Sequence, residues 1–161
     1  MNSGAAHRLL VVEDDPAFAR TLVRRLEMHG HDVHLAHDGR EGMKSIVALE
    51  PHLVISDWMM PHVDGLELCR AVKTGLGAAA PYFVLITARD DINSRLLALE
   101  TGADDFLVKP CHEGELDARV RSGLREVALR EQIRRLSEEL ARLKGELAGR
   151  GENDESRQRA A

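Results

Sequence analysis

Cysteine and aromatic residues are scarce in this 161-residue chain: it has two cysteines, Cys69 and Cys111, and 3% aromatics. Two thiols outside any metal-ligand spacing provide neither a disulfide framework nor a paired-cysteine zinc module, and both are expected to be reduced bystanders. Long apolar runs are also lacking. The longest are about five residues, too short to span a membrane. Met1–Arg8 has no apolar segment of the secretory kind, so the expected location is cytoplasmic. Nor is there a basic excess, since 22 Lys and Arg stand against 27 Asp and Glu for a net charge of −5. Residues 1–112 carry 16 acidic and 11 basic side chains, and 113–161 carry 11 of each. With no basic stripe in either half, neither a nucleic-acid surface nor a membrane partner is expected.

What is present is ordinary globular material, 43% hydrophobic and 30% charged, enough for one domain with a remainder. From residue 9 to 112, short apolar runs alternate with amphipathic stretches, the pattern of repeated strand–helix units around a parallel sheet. Leu9–Val12 is followed by Asp15 at an N-cap position and Pro16 at the first helical position. Phe18, Leu22 and Leu26 continue at helical spacing, and Gly30 closes that helix. Val33 and Leu35 alternate with polar residues, as in a strand at a sheet edge. A second helix follows Asp38-Gly39 and stops before Pro51. Leu53–Ser56 forms the third strand, 58–64 a loop, and 65–75 a third helix. The Gly- and Ala-rich stretch 74–81 reads as a loose connection. Strand four ends at Thr87, helix four spans 91–101, strand five ends at Lys109, and a last helix starts near Glu113.

Five polar side chains fall at the ends of these runs: Glu13 and Asp14, Asp57, Thr87, and Lys109. In a parallel doubly wound sheet they emerge together at the carboxyl edge, where such sheets bind ligands. Three carboxylates, one ammonium and one hydroxyl suit a divalent cation with a phosphoryl group. A dehalogenase-type phosphohydrolase also uses a strand-end Asp, but it wants a second Asp two residues on, where Met59 stands.

The strings LLVVEDDP at 9–16, ISDWMMPHVDGLEL at 55–68, VLITAR at 84–89 and TGADDFLVKP at 101–110 carry a resemblance. In content, order and spacing, residues 8–125 resemble the receiver domain of a two-component response regulator. The resemblance implies an α/β fold, a five-stranded parallel sheet in the flavodoxin-like order 2-1-3-4-5. It implies that Asp57 accepts a phosphoryl group from a histidine kinase or phosphotransfer protein. It further implies Mg²⁺ (or Mn²⁺) on Glu13, Asp14, Asp57 and the Met59 carbonyl, with Lys109 and Thr87 on phosphoryl oxygens. Thr87 and Phe106 match the family's switch positions, and the Lys109–Pro110 peptide is expected to be cis. Cys111 departs from the family, which often has a large apolar residue there.

Leu116, Val120 and Leu124 complete the domain face of the last helix. Beyond them, Leu129, Ile133, Leu136, Leu140, Leu143 and Leu147 recur in steps of four and three, a heptad seam. The expected organisation is an N-terminal extension at 1–8, a receiver domain at 9–125, a coiled-coil helix at 126–148 ended by Gly149 and Gly151, and a disordered tail at 149–161. Ile at a with Leu at d favours a parallel homodimer. No output catalytic signature is visible, so enzymatic output is not expected. The expected function is a phosphorylation switch that signals by protein contact or dimerisation. The alternative is the regulatory half of a receiver-linked enzyme such as a diguanylate cyclase.

Overall fold

The structure is a computed structural model that describes the backbone of residues 6–159 and the side chains of residues 6–148. It divides into two units, residues 1–127 and 128–161. The first alternates β1 (Arg8–Val12), α1 (Pro16–Met28), β2 (Asp32–Ala36), α2 (Gly39–Leu49), β3 (Leu53–Asp57), α3 (Gly65–Leu76), β4 (Tyr82–Thr87), α4 (Ile92–Glu100) and β5 (Asp105–Val108), and then opens α5 (Glu113–Arg159). All pairings are parallel, in the order β2-β1-β3-β4-β5. The expected fold and the edge position of the second strand are therefore both found.

The sheet is covered on both faces, which is why its central strands read as continuous apolar runs. Successive residues point to opposite faces. Leu10, Val12, Val54, Phe83 and Leu85 pack with Ile46 of α2 and Leu68, Cys69 and Val72 of α3. Leu9, Val11, Leu53, Ile55, Val84 and Ile86 pack with Leu22 and Leu26 of α1 and Leu116, Val120 and Leu124 of α5. Burying each large aliphatic or aromatic side chain contributes about 1.5–3 kcal/mol, and these two layers hold the strand ends in place.

Helix starts follow the capping chemistry. The Asp15 carboxylate accepts hydrogen bonds from the Ala17 and Phe18 amides, both 2.8 Å. Asp38, Asp64 and Asp91 cap α2, α3 and α4 in the same way. Gly30 follows α1 with φ +82°, a left-handed conformation suited to glycine. The loose connection expected after the third helix is more ordered than the Gly and Ala content implied. α3 runs to Leu76, and Gly77–Ala79 forms a 3₁₀ turn.

The first unit ends at Val127 rather than 125, because Val127 still packs against the face built by α1 and α5. A larger correction concerns the expected end of the last helix. Gly149 and Gly151 do not stop it, and α5 is helical to Arg159, so the expected disorder of 149–161 is not found over 149–159. Glycine inside a helix costs about 1 kcal/mol relative to alanine, a penalty that neighbouring helical residues can absorb. The expectation for residues 1–5 and for 160–161 lies outside the described residues. Among the described residues of the second unit, Leu129, Ile133, Leu136, Leu140, Leu143 and Leu147 are 42–67% exposed. No helix among the described residues is long and apolar enough to cross a membrane.

Candidate functional site

Glu13, Asp14, Asp57, Thr87 and Lys109 each stand at or just past a strand end whose position is set by the ladder behind it. The Glu13 amide extends the pairing of β1 with β2 by donating to the Ala36 carbonyl at 3.0 Å, leaving the Glu13 side chain 1% exposed. Asp57 is the last residue of β3 and Thr87 the last of β4, both buried, and β3 and β4 pair with Asp57 opposite Ile86. The Lys109 amide donates to the Thr87 carbonyl at 2.7 Å, and the Lys109–Pro110 peptide is cis as expected.

The side chains converge. Lys109 Nζ donates to Asp57 Oδ2 at 2.9 Å and to Glu13 Oε2 at 3.0 Å. Oxygens of Glu13, Asp14 and Asp57 all lie within 4.8 Å of one another, and Asp14 is the exposed member. At an effective dielectric near 20, two unit charges at such a distance repel by about 3 kcal/mol, less where solvent reaches Asp14. One ammonium does not neutralise three carboxylates. The Glu13 pKa is raised, chiefly by burial. The hydrogen bond from Lys109 opposes that rise, and the Asp57 charge adds to it. For Lys109, burial is the largest single influence and lowers the pKa. The hydrogen bonds and charges of Asp57 and Glu13 together outweigh it, and the net shift is upward.

These donors are hard oxygens, with neither imidazole nor thiolate in the group. Such a set fits Mg²⁺ or Mn²⁺ rather than a softer metal. The second Asp57 oxygen, Oδ1, accepts from the Met59 amide at 3.2 Å, which fixes the carboxylate from the loop side. That loop is pinned in turn. The Trp58 amide donates to the Ile86 carbonyl and the Gly65 amide to the Trp58 carbonyl, both at 2.8 Å. A Cβ on Gly65 would stand 2.1 Å from the Asp57 carbonyl oxygen, so only glycine lets α3 begin this close to the strand end.

Thr87 Oγ1 accepts from the Arg89 amide at 3.1 Å. Phe106, on edge strand β5, is half-buried against the α2/α3 face, and the Arg95 guanidinium stands 6.0 Å from its ring centroid. Sequence reasoning did not place Phe18 near the site, yet Lys109 Nζ lies 4.4 Å from the Phe18 ring centroid. Helical spacing marked Phe18 only as a core-facing residue. The signal available was its place three residues after the capping Asp15.

An open doubly wound sheet with an acidic cluster and one lysine at its carboxyl edge defines a class of cation- and phosphate-handling proteins. Within that class, the response regulator receiver domain profile matches residues 9–121, and the chain belongs to this family. The response regulator MprA of Mycobacterium tuberculosis H37Rv is 47% identical over 118 residues, covering 73% of this chain and 50% of that protein. The MprA of Mycobacterium ulcerans is 45% identical over 122 residues, covering 76% of this chain and 52% of that one. The chain thus spans about half the length of the curated relatives it matches. Among solved structures, the receiver domain of a signal transduction histidine kinase from Syntrophus aciditrophicus is 36% identical, with a TM-score of 0.69. That match covers 76% of this chain and 92% of that one. Vibrio cholerae CheY4 is 25% identical with a TM-score of 0.70, covering 74% of this chain and all of that one.

Proposed function

We propose that Asp57 accepts a phosphoryl group from a phosphohistidine on a kinase or phosphotransfer protein, and that the modified chain signals through protein contact. The observation that carries this reading is the Asp57 carboxylate, held by Lys109 on one oxygen and by the Met59 amide on the other, with Glu13 and Asp14 beside it. In the transfer an Asp57 oxygen attacks phosphorus and forms the new P–O bond. The P–N bond to imidazole breaks, and the released nitrogen keeps the electron pair and takes a proton from solvent. The donor bond is reactive, so the protein's work is positioning and charge neutralisation. Glu13, Asp14, Asp57 and the Met59 carbonyl would hold Mg²⁺ (or Mn²⁺), which supplies positive charge against the incoming phosphate. Lys109 then pairs with a phosphoryl oxygen, and the Thr87 hydroxyl donates to another. Occupying Thr87 in this way changes the packing available to Phe106, biasing a two-state switch.

The exposed stripe from Leu129 to Leu147 supports a second element, a parallel homodimer. Six large aliphatic side chains in one line favour burial against a partner. In the heptad frame Arg130 and Lys144 occupy e, and Glu139 and Glu146 occupy g. A parallel pair sets g against e of the partner, acid against base for Glu139 and Lys144, and base against base for Arg125 at g and Arg130 at the start of the coil. The alternative of a receiver-linked cyclase half is not favoured by the relatives, which are response regulators by name.

Intact mass after treatment with acetyl phosphate and Mg²⁺ tests the acceptor. One phosphoryl group is expected on the wild-type chain and none on Asp57→Asn. Labelling of the Asn variant would assign the acceptor elsewhere.

A further inference from the structure

We propose that Phe18 is a positioning residue for Lys109, its ring face holding the ammonium in the site from the side that the carboxylates leave open. This rests on the reading of Asp57 as phosphoryl acceptor and adds a residue to it. Lys109 Nζ has three donors, and two are spent on Glu13 and Asp57. The remaining side of the ammonium faces Phe18, 4.4 Å from the ring centroid, well inside the range at which a ring quadrupole attracts a cation.

The ring is not free to drift, because the contacts close on themselves. Glu13 Oε1 accepts from the Asp15 amide at 3.1 Å, and Asp15 Oδ1 accepts from the Phe18 amide at 2.8 Å. Phe18 meets Lys109, and Lys109 returns to Glu13 Oε2. The helix cap that starts α1 therefore also aims the aromatic ring. Phe18 is only half-buried, packed against the α1/α5 face, so filling the core does not account for its place over the lysine.

An ammonium between two carboxylates has a competing position in bulk water. A ring on its third side keeps it over the site while one carboxylate is converted to an acyl phosphate, when Lys109 must let go of Asp57 Oδ2 and take a phosphoryl oxygen. Fluorination weakens and finally reverses the ring quadrupole while adding some bulk and hydrophobicity, and a Lys109→Met background separates the second effect from the first.

The test replaces Phe18 in the full chain with 4-fluoro-, 3,5-difluoro- and pentafluorophenylalanine, and separately with Leu and Trp. Phosphorylation by acetyl phosphate and Mg²⁺ is followed by intact mass. The rate is expected to fall stepwise along the fluorinated series, by about fivefold at its end and similarly for Phe18→Leu, while Phe18→Trp stays within about twofold of wild type. In a Lys109→Met background the series is expected to be flat. Equal rates along the series with Lys109 present would overturn the proposal. A wild-type chain that takes no phosphoryl group would overturn the acceptor reading alone. The pair is then judged by urea unfolding: a midpoint that falls with fluorination only when Lys109 is present supports the contact. A midpoint indifferent to Lys109 removes it.

Discussion

Large aliphatic side chains meet opposite fates in the two units. In the first, Leu9, Leu10, Val11 and Val12 are fully buried, while in the second Leu136 and Leu140 are 53% and 57% exposed. The residue types match, but the period differs. Alternation along strands and the helical spacing of α1–α3 find their partner within the same chain, whereas α4 buries only Ser94 and Ala98 and leaves Ile92, Leu96, Leu97 and Leu99 exposed. A 3.5-residue repeat finds its partner only in another helix. In the second unit, ion pairs of the i,i+4 kind (Arg135 with Glu131, Arg134 with Glu138 at 3.3 Å, Arg142 with Glu146 at 3.9 Å) line the helix surface. Exposed pairs of this kind are worth about 0.3–0.5 kcal/mol each. The first unit is therefore stable by burial, while the pairing proposed for the second would depend on concentration and on salt.

The sharpest way to break this comparison is a pair of substitutions with opposite losses. Asp57→Asn is expected to abolish phosphorylation and keep the association of the chain, whereas Leu140→Asp keeps phosphorylation and yields a monomer. Mass spectrometry and light scattering at tens of micromolar read the two outcomes, and a single variant that loses both would merge the two units into one function. Next in size is core truncation. Phe83 is fully buried, so Phe83→Ala is expected to destabilise the first unit by about 3–5 kcal/mol. Leu140→Ala is expected to stay within about 0.5 kcal/mol by the same urea melt followed at Trp58. A smaller signal is metal-linked fluorescence. Trp58 adjoins Asp57 and is 4% exposed, so Mg²⁺ is expected to change its emission, with the change much weakened in Asp14→Ala. An unaltered titration in that variant removes Asp14 from the metal site.

The smallest effect is a pH dependence confined to the first unit. Asp117 of α5 has a lowered pKa, chiefly through its hydrogen bond from Arg25 of α1, with burial opposing and His29 assisting. A depressed carboxylate pKa contributes stability above the unfolded value of about 4, and that contribution is lost as pH falls through the lower folded value. The melting temperature of Arg25→Gln is therefore expected to lie a few degrees below wild type at pH 6, with the gap closing below about pH 4. A gap that persists in acid would mean Arg25 acts through packing alone.

The fold was legible because strand ends, caps and helix closers repeat in the sequence with fixed spacing. Asp15-Pro16, Gly30 and Asp38-Gly39 mark boundaries through local chemistry, and the structure places elements where they indicate. Five site residues were legible because a parallel sheet gathers strand ends at one edge. Phe18 was not, because its contact with Lys109 depends on how the first turn of α1 is aimed by the Glu13–Asp15 hydrogen bond, which has no sequence period. The end of α5 was misplaced for a different reason. Gly149 and Gly151 carry helix-breaking propensity, yet propensity is a weak prior against the continuation of a long helix.

Gly65 sets how this site tolerates genetic drift. A methyl group there would press on the Asp57 carbonyl, so the smallest codon change to alanine displaces the end of β3 that carries the Asp57 carboxylate. Gly145, by contrast, has nothing within 4 Å of its would-be Cβ and is open to exchange without steric conflict. Two residues of one kind thus sit at opposite ends of mutational permissiveness. A saturation library of this chain should lose phosphoryl acceptance at position 65 with every substitution, while position 145 accepts alanine and gains helix.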